Sequence, residues 1–167
     1  MSAVAPPNPV TPSLAPPAAP PAVVLPACPT CAGEFRPGTP AARPQITSPE
    51  HAHALVAPHL VGRDREHCLL VSLDVKHRLL RVATISVGTV DHTFMAPREI
   101  FRAALLDGAS AVFLAHNHPS GDATPSADDR AVTRRLAQAG TTLGVEVLDH
   151  LVIGDPDWVS LAREGVL

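Results

Sequence analysis

The stretch Ala115-His116-Asn117-His118-Pro119-Ser120-Gly121-Asp122-Ala123-Thr124-Pro125-Ser126-Ala127-Asp128-Asp129 constrains this chain more than any other. It demands a strand, a tight loop and a helix in that order. The apolar run Ala111-Val112-Phe113-Leu114 leads into it and is short enough to be a buried strand. Side chains in an extended chain alternate between faces, so His116 and His118 point one way and Asn117 the other. Pro119, Gly121 and Pro125 force a loop. Ser126 then opens an amphipathic helix predicted to run to about Ala139, with Gly140 as its stop and Asp129 in its first turn, facing back. Two imidazole nitrogens and one carboxylate oxygen result, with a fourth position open to water. That donor set fits a catalytic zinc site better than a structural one. Each residue also has a plainer reading. Ser126-x-x-Asp129 is a variant of the capping box at a helix start, and histidines at i, i+2 are commonly surface residues.

The spacing His-x-His, seven residues, Ser, two residues, Asp resembles the JAMM motif of the JAB/MPN metalloprotease family. The fuller string from His116 to Asp122, with Asp149-His150-Leu151-Val152-Ile153-Gly154 further on, resembles the bacterial RadC-like branch. The similarity extends from about Ile46 to Leu167. It implies a JAB/MPN-like central mixed β-sheet flanked by helices. It also implies a zinc-dependent metallo-hydrolase that cleaves a peptide or isopeptide bond through a metal-activated water, with Zn2+ on His116, His118 and Asp129. Ser126 corresponds to the family residue whose hydroxyl stabilises the oxyanion. Asp149 and His150 are expected behind the ligands or in the core.

Such chemistry also needs a carboxylate outside the ligand set to move protons. Asp129 is committed to the metal and Asp122 is expected to hold its own loop. Members of the resembled family carry the required glutamate far upstream, at the start of an early strand. Glu66 stands there, directly before Cys68-Leu69-Leu70-Val71. Its rival is Glu99, in Pro97-Arg98-Glu99-Ile100, which has a simpler role at the positive end of a helix.

The rest of the chain reads as alternating strands and helices, an α/β (or α+β) class without internal repeats. Residues 1–45 hold 13 of the 19 prolines, and their only charged residues are Glu34, Arg36 and Arg43. This Pro/Ala-rich segment is expected to be a disordered tail ahead of one domain spanning 46–167. Within it, Cys28 and Cys31 form half of a possible zinc site with no second pair to complete it. A helix is predicted from Ile46 to Leu60 with Ser48 as N-cap, bearing His51, His53 and His59 as solvated residues. Cys68–Leu73 and Leu79–Ile85 read as a hairpin turning at Asp74-Val75-Lys76-His77. An extended piece from Gly88 to Phe94 precedes a helix from Pro97 to near Gly108. Val145–Ile153 reads as a strand and Trp158–Gly165 as a short final element.

Composition narrows the partners. Net charge is −3, which gives no general electrostatic reason to expect nucleic acid or an anionic membrane. No apolar run reaches transmembrane length, and the N-terminus lacks the pattern of a secretory signal. Three cysteines, an odd number, fit a reducing cytoplasm. A competing function is a DNA-repair-associated accessory domain without hydrolytic activity, as the RadC-like resemblance suggests. It calls for a basic stripe with stacking aromatics, whereas this chain has no tyrosine and one tryptophan. Arg130, Arg134 and Arg135 cluster after the loop, but Arg130 and Arg134 read as a solvated helix face. No helix-hairpin-helix segment of the kind that often precedes this domain is read upstream, so specific nucleic-acid binding is not expected. The expected partner is a peptide or protein-conjugate substrate.

Overall fold

Ser48 accepts a hydrogen bond from the His51 N–H, and Pro49 occupies the first turn, so the first helix, α1, spans Pro49–Leu60. The computed structural model describes residues 43–88 and 95–167. Ile46, expected to begin α1, instead lies buried ahead of it, with its N–H donating to the His77 carbonyl. The expected tail, with Cys28 and Cys31, falls outside the described residues up to residue 42. Pro44 and Gln45, at its end, pair with the hairpin: the Leu79 N–H donates to the Pro44 carbonyl, and Gln45 bridges to Arg78.

The hairpin forms as expected. β1 (His67–Leu73) and β2 (Leu79–Val87) run antiparallel. Asp74 shapes the turn by accepting from the Lys76 and Arg78 N–H groups and from the Arg78 guanidinium, while His77 adopts a left-handed φ of 54°. Of the extended piece predicted over 88–94, all but Gly88 lies outside the described residues. Then follow α2 (Pro97–Leu106), β3 (Ala111–Asn117), α3 (Ala127–Leu143), β4 (Glu146–Ile153) and β5 (Trp158–Ser160). The predicted stop at Gly140 is corrected. α3 continues to Leu143, and Gly144 caps it with a left-handed φ of 69°. Gly140 is a packing glycine: a Cβ there would overlap the Val145 carbonyl oxygen and stand 3.2 Å from Phe101.

The five strands form one mixed sheet in the order β2-β1-β3-β4-β5, with β3 and β4 parallel across the α3 crossover and the remaining pairs antiparallel. Alternation sorts the side chains onto two faces. Leu69, Val71, Leu73, Ala111, Phe113 and Ala115 bury against α1 through Ala52, Val56 and Leu60. Leu70, Val112 and Leu114 bury on the other face against Ile100, Phe101, Ala104 and Leu136 of α2 and α3. Each such leucine, fully withdrawn from water, contributes about 1.5–3 kcal/mol. His53, expected in solvent, is half-buried and stacks on Trp158 at a centroid distance of 4.8 Å. Among the described residues no helix is long and apolar enough to cross a membrane.

Candidate metal centre

The site forms where β3 ends and α3 begins. His116 continues the even-numbered face of β3 toward α3, and His118 follows just beyond the strand. Asp129 is the third residue of α3, and its carboxylate turns back over the helix start. The capping box predicted for this point is present. Ser126 Oγ accepts from the Asp129 N–H at 3.1 Å, and Asp129 Oδ2 accepts from the Ser126 N–H at 2.8 Å. The Ser126 hydroxyl itself lies 2.6 Å from Oδ2. One turn of helix therefore fixes the carboxylate while leaving Oδ1 facing His116.

His116 Nε2 lies 3.1 Å from His118 Nε2 and 3.1 Å from Asp129 Oδ1, and His118 Nε2 is 3.6 Å from Asp129 Oδ2. One ligand atom from each residue falls within 4.8 Å of the others, so the three could hold a metal ion. The ring orientations favour this. Each histidine anchors its Nδ1 elsewhere, His116 on His150 Nε2 at 2.9 Å and His118 on the Asp122 carbonyl at 2.7 Å, and so presents Nε2 inward. His116 is fully buried, Asp129 is 7% exposed and His118 lies at the rim. Burial opposes ionisation of the Asp129 carboxyl, but hydrogen bonds and charge from His116 and His118, together with Ser126, hold it well below the usual carboxylate range. The hydrogen bond to Asp129 raises the His118 pKa against the effect of burial, with help from the Asp122 carbonyl and the charges of Asp129 and Glu66.

Glu66 is brought to the same place by register. Cys68 pairs with His116 across the antiparallel β1–β3 ladder, so the next same-face positions outward are Glu66 and His118. Glu66 is 9% exposed. Burial and the Glu66 charge push the neighbouring Cys68 thiol up to about 12. Glu99 is exposed in the first turn of α2, where Arg98 lies 3.9 Å from it.

Three further residues complete the site, and the first was expected to point away from it. Asn117 Oδ1 accepts from the His67 N–H at 2.8 Å, and its Nδ2 donates to the Arg65 carbonyl at 3.1 Å. The side chain acts as one extra peptide unit of the ladder and clamps the backbone on both sides of Glu66. Behind His116 stand His150 and Thr133, both fully buried. Burial, then the charge of His116, brings His150 down to about 3, so it is neutral. Asp149 belongs to the framework: its carboxylate accepts from the His150 and Ala162 N–H groups and the Ser160 hydroxyl, tying β4 to β5 and the turn beyond.

Gly154, at the end of β4, lets the loop before α3 lie against the sheet. Asp155 N–H donates to the Gly121 carbonyl at 3.0 Å. A Cβ on Gly154 would overlap that carbonyl oxygen and stand 2.8 Å from Ala123 N.

Residues 46–166 match the family model described as a RadC-like JAB domain. A UPF0758 protein of Desulfitobacterium hafniense is 46% identical over 128 residues, covering 77% of this chain and 56% of its own length. A UPF0758 protein of Caldanaerobacter subterraneus is 44% identical over 120 residues, 72% of this chain and 52% of the relative. One from Methanosarcina acetivorans is 40% identical over 121 residues, 72% and 53% respectively. The chain thus spans about half the length of the curated relatives it matches. With the family model matched over nearly the whole of the sheet and its helices, the chain belongs to the RadC-like JAB domain family.

Proposed function

We propose that this domain is a zinc-dependent metallo-hydrolase that cleaves a peptide or isopeptide bond. One observation carries the reading: two anchored imidazoles and a carboxylate converge on one spot, and a second acid outside that set, Glu66, stands at the adjacent cross-strand position. His116, His118 and Asp129 would hold the ion, a two-nitrogen, one-oxygen set suited to zinc that leaves a position open for chemistry. Zinc bound there supplies Lewis acidity toward a water and a scissile carbonyl.

The chain's own groups do the rest. Glu66 takes the proton from the attacking water and returns it to the departing amine. Asn117 keeps Glu66 at a fixed height beside the ligands, since both flanking peptide groups are tied to its amide. Ser126 stabilises the developing oxyanion by swinging its hydroxyl proton from Asp129 toward the substrate. The substrate is a peptide or a protein conjugate in the cytoplasm. The alternative, a DNA-associated accessory domain without hydrolytic activity, ranks lower. Arg130 is ion-paired with Glu164 at 2.5 Å, and net charge is −3.

The test is cleavage of peptide and isopeptide libraries by zinc-loaded protein, beside Glu66→Gln and Glu99→Gln. Glu66→Gln should keep its zinc and lose activity by about 10²-fold or more, while Glu99→Gln stays close to wild type. No cleavage by the wild type, or full activity in Glu66→Gln, would overturn the reading. A dead, zinc-bound Glu99→Gln beside an active Glu66→Gln would move the base to Glu99.

A further inference from the structure

Behind the ligands runs a line of hydrogen bonds whose direction is set by its first member. With Nε2 of His116 facing His118 and Asp129 as a lone-pair donor, the ring proton sits on Nδ1 and points at His150 Nε2, 2.9 Å away. A neutral imidazole has one donor and one acceptor nitrogen. His150 therefore accepts at Nε2 and carries its own proton on Nδ1, which lies 2.6 Å from Thr133 Oγ1. The Thr133 hydroxyl accepts there and donates onward to the Asp129 carbonyl at 2.6 Å. The line begins on one ligand and ends on the backbone of another. His116, His150 and Thr133 all have 0% exposure, so bulk water cannot stand in for a lost member.

β4 is built to make this possible. Val112 pairs with Val147 but Phe113 pairs with Asp149, which leaves Leu148 as an extra residue in the strand. Val147 packs on the α2/α3 face, and without the shift the next residue on that face would be Asp149. The bulge reverses the alternation from Asp149 onward, so that His150 comes to lie beneath His116 and against α3.

We propose that His150 and Thr133 are positioning residues of the metal centre. Together they lock His116 into its Nδ1–H tautomer and couple that ring to the first turn of α3, which carries Asp129. This rests on the metal-centre reading above. A role confined to core packing would affect stability alone, whereas a positioning role also changes how tightly the ion is held.

The experiment is zinc affinity by chelator competition for wild type, Thr133→Val and Thr133→Ser, with the melting temperature of each in chelator. Thr133→Val, nearly isosteric but unable to hydrogen-bond, should weaken zinc binding by about 10- to 100-fold. Thr133→Ser, which keeps the hydroxyl, should restore it. Equal affinity in wild type and Thr133→Val overturns the proposal and leaves the metal centre standing; a wild type that binds no zinc overturns both. Should Thr133→Val not fold, the ring nitrogens of His150 in 15N-labelled, zinc-loaded wild type decide. A proton on Nδ1 with bare Nε2 supports the relay, and the opposite tautomer overturns it.

Discussion

Gly154→Ala is the substitution that tests most sharply how the metal loop is held. Gly154 does not have a positive φ, so alanine meets no backbone penalty there and the cost is steric. The added Cβ would stand 2.8 Å from Ala123 N and 3.1 Å from Ala123 Cβ, besides overlapping the Gly121 carbonyl oxygen, where ordinary contact begins at 3.4 Å. The obstacle is backbone, so the loop must retreat as a body, by at least about 0.6 Å at Ala123 on these distances. That strains the bonds from the Asp155 N–H to the Gly121 carbonyl and from the His118 Nδ1–H to the Asp122 carbonyl. Overpacking of this kind costs about 1–3 kcal/mol. For a folding unit of about 120 residues, 1 kcal/mol moves the melting temperature by about 4 °C, so a fall of about 4–12 °C is expected. Zinc affinity should fall as well, because His118 loses its anchor. Gly144→Ala is the control: it too is destabilised, by its left-handed φ of 69°, but nothing lies within 4 Å of the new Cβ and zinc affinity should hold. Calorimetry and chelator competition read both effects. Gly154→Ala with wild-type melting and wild-type zinc affinity would refute the packing of this loop against β4.

Two further outcomes follow from the same structure. Burial raises the Asp74 carboxyl, but Arg78 and the Arg78 and Lys76 N–H groups bring it down to about 2. Its unfolded value is about 3.9, so its stabilisation is complete above that pH and is lost as pH falls through about 2. Asp74→Asn should melt below wild type at pH 7, with the gap closing on acidification; a gap constant with pH would contradict the turn geometry. Binding of labelled duplex and single-stranded DNA at physiological salt should be weak and steeply salt-dependent, and sub-micromolar, salt-resistant affinity would reverse the ranking of hydrolase over accessory domain.

The cluster that could hold a metal was legible in the sequence because it is local: a strand, a proline- and glycine-punctuated loop and a capped helix bring three side chains together within fourteen residues, His116 to Asp129. Glu66 lies fifty residues before His116. It becomes a neighbour only through the antiparallel register of β1 on β3, and family resemblance rather than any local pattern pointed to it. His150 was expected behind the ligands or in the core and lies there, but its contact with His116 in particular depends on the extra residue at Leu148, and nothing in Val145–Ile153 marks a bulge. Alternation put Asn117 on the face opposite the two histidines, but a polar side chain at a strand end can reach sideways to neighbouring backbone, and this one bonds the His67 N–H and the Arg65 carbonyl. Gly140 was misread because a glycine late in a helix can serve either as cap or as a point of close approach; the nearby Phe101 and Val145 decide for the latter.

The central claim is that His116, His118 and Asp129 hold a catalytic zinc ion. Its most direct test is elemental analysis by inductively coupled plasma mass spectrometry of wild type and His116→Ala, purified in parallel and dialysed against the same zinc-containing buffer. The account predicts one zinc per wild-type chain and essentially none in His116→Ala at comparable folded content. Equal zinc in the two proteins would contradict it.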